Sequence, residues 1–409
     1  MALNVFLVSS FLGSTVLSAQ EGSAVIQKNA TGDAAPGLRL LQTLSASHAV
    51  YPGMGLESGT TNVTWSPDGA RLAAYGRDYA MIEVWDANGN LIRATRRYGP
   101  HFLPGNALAF VAGHSRLITI PSSTVNTDLD QLNSATLSVF DIESGTIVRD
   151  ITGPDPGASF RQNEATILEV SPDQSLAVVT YGPLNNRVAG VYSTRDWQRI
   201  TVLTDSRPDL PDFIEALTFS PDGRLLAVGR MYGQVQIYDT ASWRLTRTID
   251  AFSDVHPSGP PSAATLGFSP DGKSIVVGGN AGGSVWLFPN GNIAPAGQGI
   301  YRTEDPADPV RVFQVADGSP VTSVGGFLAG IWINGVRGLA WSPTSSLVAF
   351  IAANGDLHLW DPSHPNRPQT VVSLGLTAYS LAFSPDGSRL AVCVATGVDL
   401  FEVMNPEEK

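Results

Sequence analysis

Cysteine, lysine and charge of either sign are all scarce in this chain. Of 409 residues one is cysteine, Cys393. An intramolecular disulfide and a cysteine-based zinc site are therefore excluded. Cys393 stands in Leu390-Ala391-Val392-Cys393-Val394, an apolar run that reads as a buried strand. The only lysines are Lys28, Lys273 and Lys409, and no basic stretch is denser than residues 93–97. Phosphate-backbone binding needs clustered Lys and Arg, so nucleic acid is not an expected partner. Charged residues make up 15% of the chain, with a net charge of −12. That balance suits solubility and permits a basic protein or a cation as partner. Apolar residues at helical spacing are hardly seen, which argues against helices as the main element.

The first 20 residues, Met1 to Gln20, carry no charge at all. They are apolar with interspersed Ser and Thr and end in small residues. This is the pattern of a secretory signal peptide over 1–19, although the usual Lys or Arg near the start is missing. The run is short for a membrane span. Export to the periplasm or outside the cell is the expectation, with no integral span after processing. No cysteine follows the run, so lipid anchoring has no support. Residues 20–37, rich in Ala, Gly and polar side chains, read as a flexible linker.

What the chain has in abundance is a repeated turn. Trp65-Ser66-Pro67-Asp68-Gly69 returns as Phe219-Ser220-Pro221-Asp222-Gly223, as Phe268-Ser269-Pro270-Asp271-Gly272 and as Phe383-Ser384-Pro385-Asp386-Gly387. Worn copies are Val170-Ser171-Pro172-Asp173-Gln174 and Trp341-Ser342-Pro343-Thr344-Ser345. Proline presets its own φ, Ser and Asp bond nearby backbone, and Gly takes a left-handed position. An aromatic residue precedes the turn in most copies, and an apolar run such as Leu225-Leu226-Ala227-Val228 follows it. The unit is strand, tight turn, strand.

About twelve residues later comes a third apolar segment with period-two alternation that ends in an aromatic. Examples are Ile82-Glu83-Val84-Trp85-Asp86, Val235-Gln236-Ile237-Tyr238-Asp239, Val285-Trp286-Leu287-Phe288 and Leu357-His358-Leu359-Trp360-Asp361. A fourth strand is expected over 90–97, 146–151, 197–203, 243–249, 310–315 and 369–374. Four short antiparallel strands per unit make the blade of a β-propeller.

Seven three-strand sets can be counted, starting near Thr61, Ala107, Thr166, Glu215, Ala264, Arg337 and Tyr379. The second lacks the Ser-Pro turn but keeps the spacing. The last ends near Val403 with no room for a fourth strand, while an unassigned strand lies at 38–44. The sequence thus predicts an all-β, seven-bladed propeller over 38–404, with the N-terminal strand completing the C-terminal blade and a short tail at 405–409. Closure of this kind removes exposed strand edges.

The pattern resembles WD40 repeats and, more loosely, the propeller repeats of periplasmic Tol-type proteins. Trp85-Asp86, Phe140-Asp141, Tyr238-Asp239 and Trp360-Asp361 stand where WD40 repeats carry Trp-Asp. The resemblance implies a scaffold that binds partner proteins. The Gly-His pair usual before the first strand is absent, and Tyr232, Gly282, Asn354 and Ala395 occupy places where an Asp is usual. The family's His/Ser/Asp/Trp network cannot be assembled from such repeats, which leaves packing to hold the blades.

Chemistry-bearing motifs are few. The six histidines show no metal-ligand spacing, and no nucleophile elbow or phosphate-binding Gly loop is present. No catalytic residue, metal site or cofactor is assigned. The loops entering the first strands are long, over 51–59, 99–106, 153–165, 205–214, 252–263 and 316–335. They carry His101, His256 and Trp332, whereas the opposite face has the tight turns. Loop elaboration on one face is where binding is expected. At the start of the first strands stand Asn106, Glu215, Arg337 and Tyr379. Period-two alternation from Leu108, Leu217, Leu339 and Leu381 would set them on the rim of the central channel. The reading is a non-catalytic propeller that binds a protein through this face and rim. The alternative is a propeller enzyme or small-molecule binder with its site at the channel mouth, and a third possibility is a structural ring in an envelope assembly.

Overall fold

The Ser-Pro-Asp-Gly turns are hydrogen-bonded in the same way in each copy. In the first, the Ser66 hydroxyl donates to Asp68 Oδ1 at 2.7 Å, and Ser66 Oγ accepts from the Arg71 N–H at 2.8 Å. Asp68 Oδ1 also accepts from the Ala70 N–H at 3.0 Å, and Gly69 turns the chain at φ 69°. The Ser–Asp bond recurs at 2.6 Å for Ser171–Asp173 and Ser220–Asp222, 2.7 Å for Ser269–Asp271 and 2.5 Å for Ser384–Asp386. All of these serines are buried, so their hydroxyls need the partners they find. The serine hydroxyl foremost, with a backbone N–H beside it, holds the carboxyls of Asp173, Asp222, Asp271 and Asp386 below the usual range.

A computed structural model describes residues 37–45, 60–76, 81–96, 108–119, 135–152, 165–181, 188–204, 213–252, 262–280, 285–287, 300–302, 309–325, 336–352, 354–366, 369–375, 378, 380–394 and 396–404. The first strand, β1 (Gly37–Ser45), precedes the repeats. Blade one is β2 (Thr60–Trp65), β3 (Arg71–Gly76), β4 (Met81–Asp86) and β5 (Leu91–Arg96). Blade two is β6 (Leu108–Val111), β7 (Arg116–Thr119), β8 (Ala135–Asp141) and β9 (Thr146–Thr152). Blade three is β10 (Ala165–Val170), β11 (Leu176–Tyr181), β12 (Val188–Ser193) and β13 (Arg199–Leu203). Blade four is β14 (Ile214–Phe219), β15 (Leu225–Arg230), β16 (Gln234–Asp239) and β17 (Arg244–Asp250).

Blade five begins with β18 (Ser262–Phe268) and β19 (Ser274–Asn280). A hairpin of β20 (Val285–Leu287) and β21 (Ile300–Arg302) is then inserted. The blade resumes with β22 (Val310–Gln314) and β23 (Pro320–Val324). Blade six is β24 (Val336–Trp341), β25 (Val348–Ala352), β26 (Asp356–Trp360) and β27 (Thr370–Ser373). Blade seven is β28 (Leu381–Phe383), β29 (Arg389–Val394) and β30 (Gly397–Met404), completed by β1.

The architecture is therefore seven four-stranded antiparallel blades in a ring, with no helix among the described residues. Closure is as the sequence implies. β1 runs antiparallel to β30, from Gly37 opposite Met404 to Ser45 opposite Gly397.

Two expectations for blade five are corrected. Residues 285–288 are not its third strand; Val285–Leu287 belongs to the inserted hairpin. The third strand is β22, where Phe313 lies opposite Ile275 as Tyr238 lies opposite Leu226. Phe313-Gln314 thus holds the place of Trp-Asp. The run at 285–288 has the right alternation and comes sooner, so periodicity alone selected it. In consequence residues 310–314 are third rather than fourth strand, and residues 320–324 are the fourth strand rather than entering loop.

The core lies in the seams between blades. One cluster joins Val63 and Trp65 of blade one to Leu44, Ala391, Cys393, Val398 and Leu400 of blade seven. Cys393 is fully buried there, as its apolar neighbours imply. The indole N–H of Trp65 donates across the same seam to the Ala382 carbonyl at 3.2 Å.

The turns close a second ring on one face. A Cβ at Gly69 would stand 3.5 Å from Pro385, one at Gly223 3.8 Å from Pro172, and one at Gly272 3.9 Å from Pro221. Blade two lacks the Ser-Pro turn and borrows from its neighbours. Its Gly113 N–H donates to Gln174 Oε1 of blade three at 2.6 Å, and His114 pairs with Asp68 of blade one.

Six of the seven outer strands also carry a device against edge pairing, β27 being the exception. In β1, β5, β9, β13, β17 and β23 one extra residue interrupts the ladder: Leu41, Ile92, Val148, Ile200, Thr246 and Val321. Such a bulge kinks a strand whose edge would otherwise invite another chain. The exposed apolar side chains Leu41, Ile92, Val148, Ile200 and Val321 all occupy it.

Candidate functional site

Antiparallel order puts the loops entering the first strands, and those joining second to third strands, on the face opposite the Ser-Pro-Asp-Gly ring. His101, Asn106, His256, Trp332 and Tyr379 lie outside the described residues. Glu215 and Arg337 are described, both partly exposed, near the start of β14 and β24.

Their setting differs from a regular strand. Ile214 lies opposite Arg230 and Ala216 opposite Gly229, so Glu215 is an extra residue in a bulge. Arg337 is the extra residue between Val336 and Gly338, as are Thr61 in β2 and Ala264 in β18. Period two does not carry across a bulge, so Glu215 and Leu217 do not share a face by simple alternation. The burial pattern shows the break directly: Ile214, Ala216 and Leu217 are all buried. A bulge at the mouth of a sheet re-aims a side chain, and here it recurs at one register around the ring.

One turn of the loop face is described in full, Arg230-Met231-Tyr232-Gly233. Tyr232 has φ 70°, a left-handed conformation that costs a non-glycine residue on the order of 1–3 kcal/mol. Beneath it Arg230 is fully buried, its Nε donating to Gln236 Oε1 at 2.7 Å, and the Tyr238 hydroxyl donates to the same oxygen at 2.9 Å. The network fixes the base of a turn that presents a partly exposed tyrosine.

Gln236 belongs to a series that sequence reasoning passed over. The residue three before the end of the third-strand motif is Glu83, Ser138, Gly190, Gln236, Arg311, His358 and Asp399 in the seven blades. Ser138 donates to Asp150 at 2.6 Å. Arg311 donates to the Ala251 carbonyl of blade four at 3.0 Å and lies over the Phe252 ring at 4.9 Å. His358 stacks on Phe350 at 4.7 Å and meets Gln369 at 3.0 Å. Burial foremost holds the His358 imidazole below its ordinary value, against the Gln369 bond and the Asp356 charge. Thr43 donates to Asp399 at 2.7 Å, and burial pushes that carboxyl up. Packing is thus joined at this position by polar contacts in blades two, four, five, six and seven, each with its own partner. Aligning the repeats by their aromatic would have exposed the column, because a polar residue recurs inside an apolar strand.

Glu169 is a second residue missed. It lies on the innermost strand β10, where the other blades have Thr64, Ala109, Thr218, Gly267, Ala340 and Ala382. Glu169 is only partly exposed, and the desolvation this brings pushes its carboxyl up to about 8, against the hydrogen bond it accepts from the Phe219 backbone. Among the described residues no group of three or more His, Cys, Asp or Glu could hold a metal ion, and no helix is long and apolar enough to cross a membrane.

Seven Ser-Pro-Asp-type or equivalent blades, with an aromatic-acidic pair ending most third strands, define a WD40-like β-propeller. Residues 190–259 match the family described as the anaphase-promoting complex subunit 4 WD40 domain. That span runs from the third strand of blade three through blade four. No curated protein matches the chain.

Proposed function

We propose that this chain is a non-catalytic WD40-like propeller that binds a protein partner through the loop face and the channel rim. WD40 propellers are commonly protein-interaction scaffolds, and the family matching residues 190–259 is named for a subunit of a complex. The observation that carries the reading is the repeated bulge. It sets Glu215 and Arg337 at the same register of two first strands, on the face bearing the long loops. Charged and aromatic side chains at such a rim suit a contact surface, Arg and Tyr being enriched among residues that dominate binding. Asn106, Tyr379, His101, His256 and Trp332 complete the proposed surface. The test is quantitative co-purification from the native host with the tagged chain and with a Glu215→Ala/Arg337→Ala variant. A partner retained by the wild type and lost by a folded variant supports the reading. A variant that retains every wild-type partner sinks it.

Export is part of the same proposal, supported by the uncharged apolar N-terminal run. N-terminal sequencing of the mature protein decides it. A start near residue 19 or 20 supports export, and a start at Met1 or Ala2 removes it.

A further inference from the structure

Five residues other than glycine hold a left-handed backbone among the described residues: Ala112, Gln174, Trp197, Tyr232 and Trp243. All but Tyr232 turn the chain on the Ser-Pro-Asp-Gly face. Three of those four use the side chain inside the ring. Gln174 accepts from the Gly113 N–H of blade two at 2.6 Å. Trp197 packs on the core shared by blades two and three, and Trp243 on that of blades three and four. Tyr232 lies on the loop face and has no such use. It is partly exposed, it joins no hydrophobic cluster, and among the described residues its hydroxyl meets no hydrogen-bond partner.

The left-handed place in such a turn favours Gly or Asn, so a tyrosine is held there against local preference. Blade six carries Asn354 at the same place. The Gly233 N–H donates to the Arg230 carbonyl at 3.2 Å, and the Gly355 N–H of blade six to the Ala352 carbonyl at 2.9 Å. The conformation of Tyr232 is fixed from both sides. The Met231 N–H donates to the Phe213 carbonyl at 2.8 Å, and the Gly233 carbonyl accepts from the Ala251 N–H at 2.9 Å. Beneath lies the buried Arg230–Gln236–Tyr238 network. Strain that no contact inside the ring offsets, in a turn fixed this firmly, marks a residue set in place for something outside the ring.

We propose that Tyr232 is the anchor of the loop face and receives an arginine or lysine side chain of a partner protein over its ring. The inference rests on the protein-binding reading above and supplies the partner's chemistry. Blade four is acidic on this side. Glu215 bulges from the adjoining strand β14, and in sequence the loop entering the blade holds Asp205, Asp209 and Asp212 against one arginine, Arg207. A cation over a tyrosine face with carboxylates nearby is attracted by both the ring and the charge.

Two measurements on the full chain test this. In denaturant, Tyr232→Asn should raise the unfolding midpoint, because Asn adopts the left-handed turn at less cost. Peptides selected from a random displayed library on the immobilised chain should include a set enriched in Arg or Lys and released by salt. That set should be lost on Tyr232→Asn and Tyr232→Leu and kept on Tyr232→Phe, which retains the ring. A midpoint that stays or falls would remove the strain from which the inference starts. A library that yields no basic, Tyr232-dependent peptides would overturn the contact. Peptides lost on Glu215→Ala/Arg337→Ala but indifferent to Tyr232 would refute this inference and leave the loop-face reading standing. Peptides indifferent to every one of these variants would sink both.

Discussion

The Thr43 hydroxyl donates to the Asp399 carboxylate at 2.7 Å across 356 residues of chain. This bond ties the closing strand β1 to β30, and burial raises the Asp399 carboxyl above its ordinary value. Its ionised form is therefore a cost that the folded ring carries at neutral pH. Asp399→Asn keeps an oxygen for Thr43 and removes the charge. We expect the variant to melt at or above the wild-type temperature at pH 7. The wild type should gain on it as pH falls through the raised folded pKa, with no further gain below the unfolded value of 3.8. Thermal unfolding followed by circular dichroism between pH 3.5 and 7.5, a range on the order of the linkage window, checks the sign.

Deletion of residues 38–45 should do far more harm than loss of that one bond. It removes the outer strand of blade seven together with buried Leu38 and Leu44. It also bares the whole edge of β30. We expect loss of the single cooperative transition and a tendency to associate. Denaturant unfolding and light scattering measure both. A deletion that unfolds like the full chain would refute closure as the source of ring stability.

The Ser–Asp turns give a stability that acid removes. Ser220 is buried and serves the Leu225 N–H at 2.9 Å while donating to Asp222. Ser220→Ala should cost about 1–3 kcal/mol, because the N–H of Leu225 loses its acceptor. The serine bond foremost depresses the Asp222 carboxyl, so the turn's contribution is present above the unfolded value of 3.8 and lost as pH falls through the folded one. The stability gap between wild type and variant should accordingly narrow in acid.

Two glycines separate backbone strain from crowding. Gly113 and Gly387 both hold left-handed conformations, at φ 74° and 70°. Around Gly113 a Cβ would meet nothing within 4 Å, whereas at Gly387 it would stand 2.1 Å from Thr344 Oγ1. Gly113→Ala should cost only the backbone term, about 1–2 kcal/mol. Gly387→Ala should cost more, since the turn of blade seven must also move off blade six. Chemical denaturation of the two variants compares them directly.

Phe350 is fully buried and stacked on His358 with planes 3° apart. Phe350→Ala should destabilise by about 3–5 kcal/mol through the lost apolar area and the cavity left behind. A cost below about 1 kcal/mol would mean that the seam of blades five and six collapses to fill the gap.

Much of the fold was legible because its determinants are local. Proline, glycine and a short polar side chain fix a turn within five residues. Period-two alternation on either side then fixes strands, and repetition fixes the number of blades. The same locality explains the errors in blade five. Val285-Trp286-Leu287 satisfies the local pattern as well as Val310-Arg311-Val312-Phe313 does, and only pairing with Ser274–Asn280 chooses between them. Glu215 and Arg337 were found as polar residues at strand starts, but their bulged setting was not. A bulge is defined by what stands on the partner strand, and Gly229 opposite Ala216 is not visible from one strand alone.

The sequence by itself determined a closed ring of seven blades, its closing strand and the face that bears the long loops, since each follows from turn chemistry and spacing. Only the tertiary structure decided which blade each strand of the fifth repeat joins, which residues sit in bulges, and which polar side chains are buried. Arg230 and Gln236 are buried only once the blades pack, because desolvation is a property of the assembled ring and not of the strand.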